Sequence, residues 1–396
     1  MMTDLAGLTI VDLTRILSGP FCTMYFADMG AEVIKVEPPG GDDTRRWGPP
    51  FVKGESAYYL SVNRNKRSVV LDIKTPLGKE ALKRLIRRAD VVVENFRPGT
   101  LERLGFGFEV LRRINPRIIL ASISGFGQTG PYRDDPGYDL IAQGMGGIMS
   151  ATGQPGGPPT KVGFSVADIG AGMWAIIGIL TALLNREKVG AQWIDVSLLD
   201  AVISWQTYVA ANFFATGEDP APVGNVHPNI APYQSFSSKD GYFNVAVGND
   251  EMWRRFCEAM GHPEWMEDPR FCTNSRRVQN RQELVELLQP LFQSRTTAEW
   301  VGLFRSRRIP AGPIYRLSEL YTDPQLLARN MIRMFHHKKI GEFRTIGVPI
   351  HFLHQNRQGR EIAPPPALGE HSREILGGLG FSEREIEQMV AESARK

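Results

Sequence analysis

The residue most able to do chemistry stands where the chain changes character. In VADIGAGMWAIIGILTALL (166–184), Asp168 lies beside Gly170 and Gly172, ahead of a run from Ala171 to Leu184 that carries no charge. A carboxylate at a helix start is stabilised by the free backbone N–H groups there and by the helix dipole. The same carboxylate could attack an activated acyl group and form a covalent intermediate. Neighbouring glycines would let a ligand approach the backbone closely. Residue types alone leave both roles open, N-cap and nucleophile.

Other chemistries are poorly supplied. Cys22, Cys257 and Cys272 are odd in number and form no CxxC, which disfavours a disulfide framework or a zinc site and suits a reducing compartment. His351 and His354 are three apart, but no HExxH surrounds them, so both read as structural or solvent-facing, and no metal site is expected. The turn after the first strand reads TRILSGP and lacks GxGxxG, which disfavours NAD or FAD.

These residues need elements to hold them. The run 171–184 is shorter than the roughly 18–20 apolar residues that span a bilayer, and predicts a helix buried on nearly every side. Upstream, LTIVDL (8–13), a helix over 21–29 after the Gly19-Pro20 break, and AEVIKVE (31–37) make a βαβ unit. RSVVLDI (67–73), DVVVE (90–94) and RIILASI (117–123) continue the strands. Helices open at Thr75-Pro76 and at Pro98. This alternation predicts an α/β domain, a doubly wound parallel sheet with helices on both faces. Residues 124–163 read as one long loop of the kind that gathers at a binding site. WIDVSLLDAVISW (193–205) reads as a strand followed by a helix, and residues 215–234 as a linker.

A smaller α+β domain is expected at 225–325, with a strand at 241–248 and a capping box at Thr296–Glu299. The large domain takes residues 1–215. Residues 326–396 form a return segment with a short strand near 345–352, a proline hinge at 364–366 and a second capping box at Ser382–Glu385. The 396 residues are 42% hydrophobic and 22% charged, and the formal net charge is +3. That is the profile of a soluble globular chain with no broad field for nucleic acid or membrane. The start, MMTDLAGLTIVDL, lacks a secretory pattern. A cytoplasmic location is expected, with organelle import left open.

Strings spread over nearly the whole chain resemble the family III CoA-transferases, the CaiB/BaiF type. They are VDLTRILSGP (11–20), ADMGAEVIKVE (27–37), NRNKRSVVLDIKTPLGKEAL (63–82), ADVVVENFRPGTLERLGF (89–106), SGFGQTGPY (124–132), GYDLIAQ (137–143), ADIGAGM (167–173), PYQSFSSKDGYF (232–243) and LGEHSREIL (368–376). The resemblance implies that Asp168 attacks an acyl-CoA thioester and passes CoA to a free carboxylic acid through an anhydride and an aspartyl-CoA thioester. It implies CoA contacts at Leu17, Ser18, Leu71, Lys74, Asn95, Phe96, Arg97, Arg103, Gly137, Tyr138 and Asp139. It implies acyl-CoA and acid as substrates, no prosthetic group, and an interlocked homodimer. Formyl-type members have arginine after the second strand. Here Pro38 and Pro39 follow it, so that phosphate contact must come from elsewhere, with Arg45, Arg46 or Lys66 as candidates. The glycine-rich flap of those members is also missing.

Two other readings exist. The racemase branch pairs the aspartate with a histidine where this chain has Tyr138, and a phenol of pKa about 10 is a poor base at neutral pH. A CoA-binding protein without turnover would have no use for Asp168. The stretches 41–68 and 363–371 resemble the branch that uses succinyl-CoA and glutarate, and a dicarboxylate acceptor calls for a cation. Arg15 is the candidate, because guanidinium binds carboxylate bidentately.

Overall fold

The computed structural model describes residues 5–353 and 361–394. His354 lies outside them. Two compact units emerge. One takes 1–148, 161–217 and 327–396, and the other takes 149–160 and 218–326.

The first unit is built on six parallel strands: β1 (Thr9–Asp12), β2 (Glu32–Glu37), β3 (Arg67–Val70), β4 (Val91–Glu94), β5 (Ile119–Ser124) and β6 (Gln192–Ser197). Their order is β3-β2-β1-β4-β5-β6. Chain direction across the sheet reverses between β1 and β4. In doubly wound sheets the crevice beyond the carboxyl ends of the strands, at such a reversal, is where ligands sit.

Successive strand residues point to opposite faces, and both faces are covered. Val11, Ile34, Val69, Val92 and Leu120 face one core, packed with Leu82, Leu85 and Ile86 from the helix Pro76–Arg88. Ile10, Val33, Val91, Val93 and Ile119 face the other. The helices in question are α1 (Ser18–Asp28), α2 (Pro76–Arg88), α3 (Phe108–Ile114), α4 (Asp139–Met145), α5 (Val166–Val189) and α6 (Leu198–Ile203). Thr75 caps α2 by accepting from the Gly78 N–H, with Pro76 at the first position, as its sequence predicts.

Three expectations change. First, α1 begins at Ser18, with Gly19 and Pro20 inside its first turn. Proline is tolerated there because its missing N–H would have no intrahelical partner. Second, the stretch 124–163 is not one loop. It contains α4 and a short helix, Ile148–Ala151. Third, α5 is not buried all round. Ala167, Gly170, Ala171, Gly172, Ala175, Ile179 and Ala182 are buried, but Met173, Trp174, Ile177 and Leu184 are exposed. Apart from Ile179, the buried residues are Ala and Gly, while large side chains face out. Composition alone hid this split, because the run carries no charge to mark an outer face. By length and hydropathy α5 could cross a membrane, yet its buried stripe packs in the second core as one layer of the α/β fold.

The other unit has an antiparallel sheet of β7 (Tyr233–Ser237), β8 (Tyr242–Ala246) and β9 (Ala311–Pro313), with β8 in the middle. An aromatic core of Phe236, Phe243, Phe256, Phe292, Trp300 and Phe304 fills it. The Thr296–Glu299 capping box forms in both directions.

Residues after 327 return to the first unit. They form a hairpin, β10 (Ile332–His337) with β11 (Gly341–Ile346), where the sequence predicts a single strand near 345–352. The tail then covers the edge strand β3. His371 N–H donates to the Ser68 carbonyl at 3.0 Å, and Val70 N–H donates to Ser372 Oγ at 3.1 Å. An exposed strand edge invites pairing with other chains, and the tail removes that edge. Ser382 and Glu385 cap the last helix, Glu383–Ala394, as their spacing predicts.

Candidate functional site

The cleft at the reversal of the sheet takes its walls from several carboxyl-end loops. Arg15, Ile16 and Ser18 come from the β1 exit. Asn95, Phe96 and Arg97 come from the β4 exit, Ser124 and Gly125 from β5, and Gly137 and Tyr138 from the start of α4. Asp168, from the first turn of α5, completes it. Residues far apart in sequence meet because the strand order brings β1 and β4 side by side.

Two pairs of close backbones set the geometry. A Cβ on Gly172 would lie 2.8 Å from the Ser18 carbonyl oxygen and 2.8 Å from the Phe21 ring. Only a glycine therefore lets α5 lie against the start of α1, and that approach brings the Ser18 hydroxyl near the Asp168 carboxyl, where it favours the ionised form. A Cβ on Gly137 would lie 2.6 Å from the Gly125 Cα, so two cleft-wall loops touch backbone to backbone. Gly170 has a similar duty beneath the Trp205 ring, 2.8 Å away. The open sides of the glycines beside Asp168 thus serve helix packing.

Asp168 does not cap its own helix. The helix begins two residues earlier, at Val166, and Ser165 makes no side-chain cap. The cap comes from α4: Asp139 Oδ1 accepts from Ala167 N–H at 2.9 Å and from Asp168 N–H at 3.4 Å. Gln143 Nε2 steadies Asp139 at 2.7 Å. Burial raises the Asp168 pKa to about 7, the nearby Asp139 charge adds to the rise, and the Ser18 bond opposes it. Near neutral pH this carboxyl is therefore divided between acid and carboxylate. Tyr58 lies close enough for the charges of Asp168 and Asp139, after burial, to push its phenol up to about 12. No spacing or motif distinguishes Tyr58 in the sequence.

Arg15, Ser18, Asn95, Phe96, Arg97, Gly137 and Tyr138 thus share one cleft with Asp168. The other expected contacts lie elsewhere. Leu17 is the half-buried residue before α1. The Leu71 side chain is buried in the first core. Lys74 is exposed, its N–H bonded to Asp72. Asp139 spends its carboxylate on the α5 N-terminus. Arg103 is exposed, and its guanidinium and that of Arg133 both approach Gly99. They stand 3.1 and 3.5 Å from the point a Gly99 Cβ would occupy. Arg133 went unremarked in the sequence, because only the folded loop 125–138 brings it there.

The cations considered as replacements after Pro38 and Pro39 have other duties. Arg45 binds Glu37 bidentately at 2.7 Å to each oxygen. Lys66 is sealed against Asp12 at 3.0 Å. Arg46 reaches the Gly40 carbonyl and Asp43. At the end of β4, Glu94 accepts from Phe96 N–H at 2.8 Å and fixes the turn that presents Asn95 to Arg97. Burial raises Glu94 to about 7, while its bonds from Ser122 and Phe96 act the other way. Among the described residues, no group of three His, Cys, Asp or Glu side chains could hold a metal ion.

Known proteins resemble this chain over nearly its full length. A sequence profile described as CoA-transferase family III matches residues 5–372. The chain is 42% identical over 392 residues to succinyl-CoA:glutarate CoA-transferase of Mus musculus, covering 98% of this chain and 89% of that protein. It is 42% identical to a succinate–glutarate CoA-transferase of Agrobacterium fabrum, covering 96% of each. A solved structure of a CaiB/BaiF family protein from Brucella suis superposes with a TM-score of 0.83 at 41% identity, covering 96% of this chain and all of that one.

Proposed function

This chain belongs to CoA-transferase family III, and from that premise we propose that it moves CoA from succinyl-CoA to a second dicarboxylic acid by way of Asp168. The carrying observation is the Asp168 carboxyl in one cleft with Arg15, Ser18 and Asn95, where burial raises its pKa to about 7. Burial strips water from the ionised form and makes it more nucleophilic, and a dry site protects an anhydride from hydrolysis.

The steps balance without metal or prosthetic group. An oxygen of Asp168 attacks the thioester carbonyl, the C–S bond breaks, and CoA leaves as thiolate from a mixed anhydride. The thiolate attacks the aspartyl carbonyl and releases succinate, leaving an aspartyl-CoA thioester. The acceptor carboxylate attacks that carbonyl and frees the thiolate. The thiolate then takes the acceptor's acyl group from the new anhydride and restores Asp168. Arg15, at the same cleft, suits the distal carboxylate of a diacid. Arg97, Arg103, Arg133 and Lys74 suit the phosphates of the nucleotide.

The exposed apolar side of α5, with Met173, Trp174, Ile177 and Leu184, supports assembly as a homodimer that covers it, in keeping with the interlocked form that the resemblance implies. The free cysteines suit a reducing compartment such as the cytoplasm.

A substrate panel tests the reading: succinyl-CoA with glutarate, oxalate, malate and a monoacid, each new thioester read by mass. Exchange with at least one diacid is expected, and Asp168→Asn should lower it by at least about 1,000-fold, as loss of a nucleophile does. Arg15→Ala should lower transfer to diacids more than to the monoacid. In wild type, hydroxylamine should convert the aspartyl thioester to a hydroxamate on the peptide that contains Asp168. Exchange at the original rate in Asp168→Asn, with the protein folded, would refute the mechanism.

A further inference from the structure

Ile16 holds a backbone conformation that its residue type resists. Its φ is 72°, in the left-handed region, where a β-branched residue is a genuine outlier. Such strain persists only where the surroundings over-determine it, and it gathers at functional sites. Three groups close around this residue. Lys35 Nζ donates to the Thr14 carbonyl at 2.9 Å. The Ile16 N–H donates to Asp42 Oδ1 at 3.3 Å. Asn95 grips the Arg15 residue from both sides, accepting its N–H at 2.9 Å and donating to its carbonyl at 2.7 Å.

None of these partners is local to the loop. Lys35 lies on β2, Asp42 in the turn beyond it, and Asn95 at the exit of β4. Lys35 and Asp42 are joined at 2.8 Å with both side chains 1% exposed, so the clamp is rigid and water does not compete with it. Arg15 precedes it directly and Ser18 follows two residues on. Both line the cleft with Asp168, and the Ser18 hydroxyl favours its ionised form. A loop free to relax at Ile16 would swing one or both away.

We propose that Lys35, Asp42 and Asn95 are positioning residues that hold Ile16 in its left-handed conformation so that Arg15 and Ser18 converge on Asp168. Asn95 uses both ends of its amide on the Arg15 backbone, and so acts through the loop. Lys35 and Asp42 are sealed beneath it. Activity measurements on this inference rest on the CoA-transfer reading.

The test is suppression. Asn95 is only partly buried, so Asn95→Ala should fold with an unfolding transition near that of wild type. Its kcat for CoA transfer should fall on the order of 100-fold, since a misplacement of about 1 Å costs that much. Its acid limb should move to higher pH, because Ser18 no longer favours the ionised Asp168. Adding Ile16→Gly should recover about 10-fold or more, because glycine takes positive φ without penalty. A merely structural bond would not be rescued by a glycine placed one residue beyond it. A second arm replaces the buried pair together, Lys35→Met with Asp42→Asn, so that no unpaired charge is left inside. The same suppression by Ile16→Gly is expected there, and if that pair does not fold, the Asn95 arm decides alone.

Normal kcat in Asn95→Ala, or a double variant no better than the single, overturns the proposal. Wild-type protein with no transfer to any acid would instead refute the functional reading, and a crystal structure of Asn95→Ala then decides the clamp. Ile16 at negative φ supports it, and Ile16 unmoved with Arg15 in place sinks it.

Discussion

Two sets of cations in the same unit have opposite fates. Lys35, Arg64 and Lys66 are sealed, each within 3.0 Å of a carboxylate. Lys74, Arg97 and Arg103 are exposed and make no ion pair among the described residues. The two sets look alike in the sequence. The difference is burial. A charge taken from water must be matched inside the protein, and once matched it has nothing left for a ligand. A charge left in water gains little from any surface partner and stays available to a phosphate. Asp168 stands between these extremes, neither fully matched nor freely solvated, which suits the nucleophilic role proposed for it.

The sharpest way to break this contrast is Lys66→Met. It leaves Asp12 buried with one cation fewer, and should cost about 3–5 kcal/mol in urea unfolding, the usual cost of breaking a buried pair. The pH dependence carries the same information. Lys66, Lys35 and bonds from Thr14 and Thr23 outweigh the burial that would raise the Asp12 pKa, and hold it at about 2. Its contribution is therefore complete above the unfolded pKa of about 4 and is lost as pH falls through about 2. In Lys66→Met the loss of stability on acidification should begin at higher pH. If Arg103→Gln destabilised the protein as much as Lys66→Met, the contrast would be wrong.

Arg103→Gln should instead leave unfolding within about 0.5 kcal/mol of wild type, as surface changes do. The KM for succinyl-CoA should rise about 10-fold, the scale of one charge-assisted bond, and the rise should shrink with added salt. An equal rise for a succinyl-pantetheine donor, which lacks the nucleotide, would remove the phosphate role.

The smallest effect concerns the group between the two sets. Asp139→Asn keeps an oxygen to cap α5 but removes a negative charge beside Asp168. The ionised form is then less opposed, and the acid limb of kcat/KM that Asp168 would set should move to lower pH. It should move only part of the way back, because burial is the larger cause. A limb that stays in place would mean that Asp139 acts only as a cap.

Much of this was legible before the fold. Alternating apolar stretches specified the strands and their parallel sheet, because period and length are local properties. The capping boxes at Thr296 and Ser382 were readable for the same reason, since partners three residues apart meet in any helix. Asp168 was legible as a candidate nucleophile, but its helix start gave no sign of being capped from another helix. Gly170 and Gly172 were read as openings for a ligand, and they prove to be contacts with Trp205 and Ser18. The apolar run of α5 gave no sign of which side would be covered, because its pattern is uniform and only the neighbours α1 and α6 choose a face.

What the sequence determined by itself was therefore the set of elements and, through the family resemblance, the candidate acid. The tertiary structure alone decided which charges are used up inside and which are left to bind, because desolvation depends on every atom packed around a group. It also decided that Ile16 would be held against its own preference. That conformation needs three partners from β2, the turn beyond it, and β4, and no local stretch of chain supplies them.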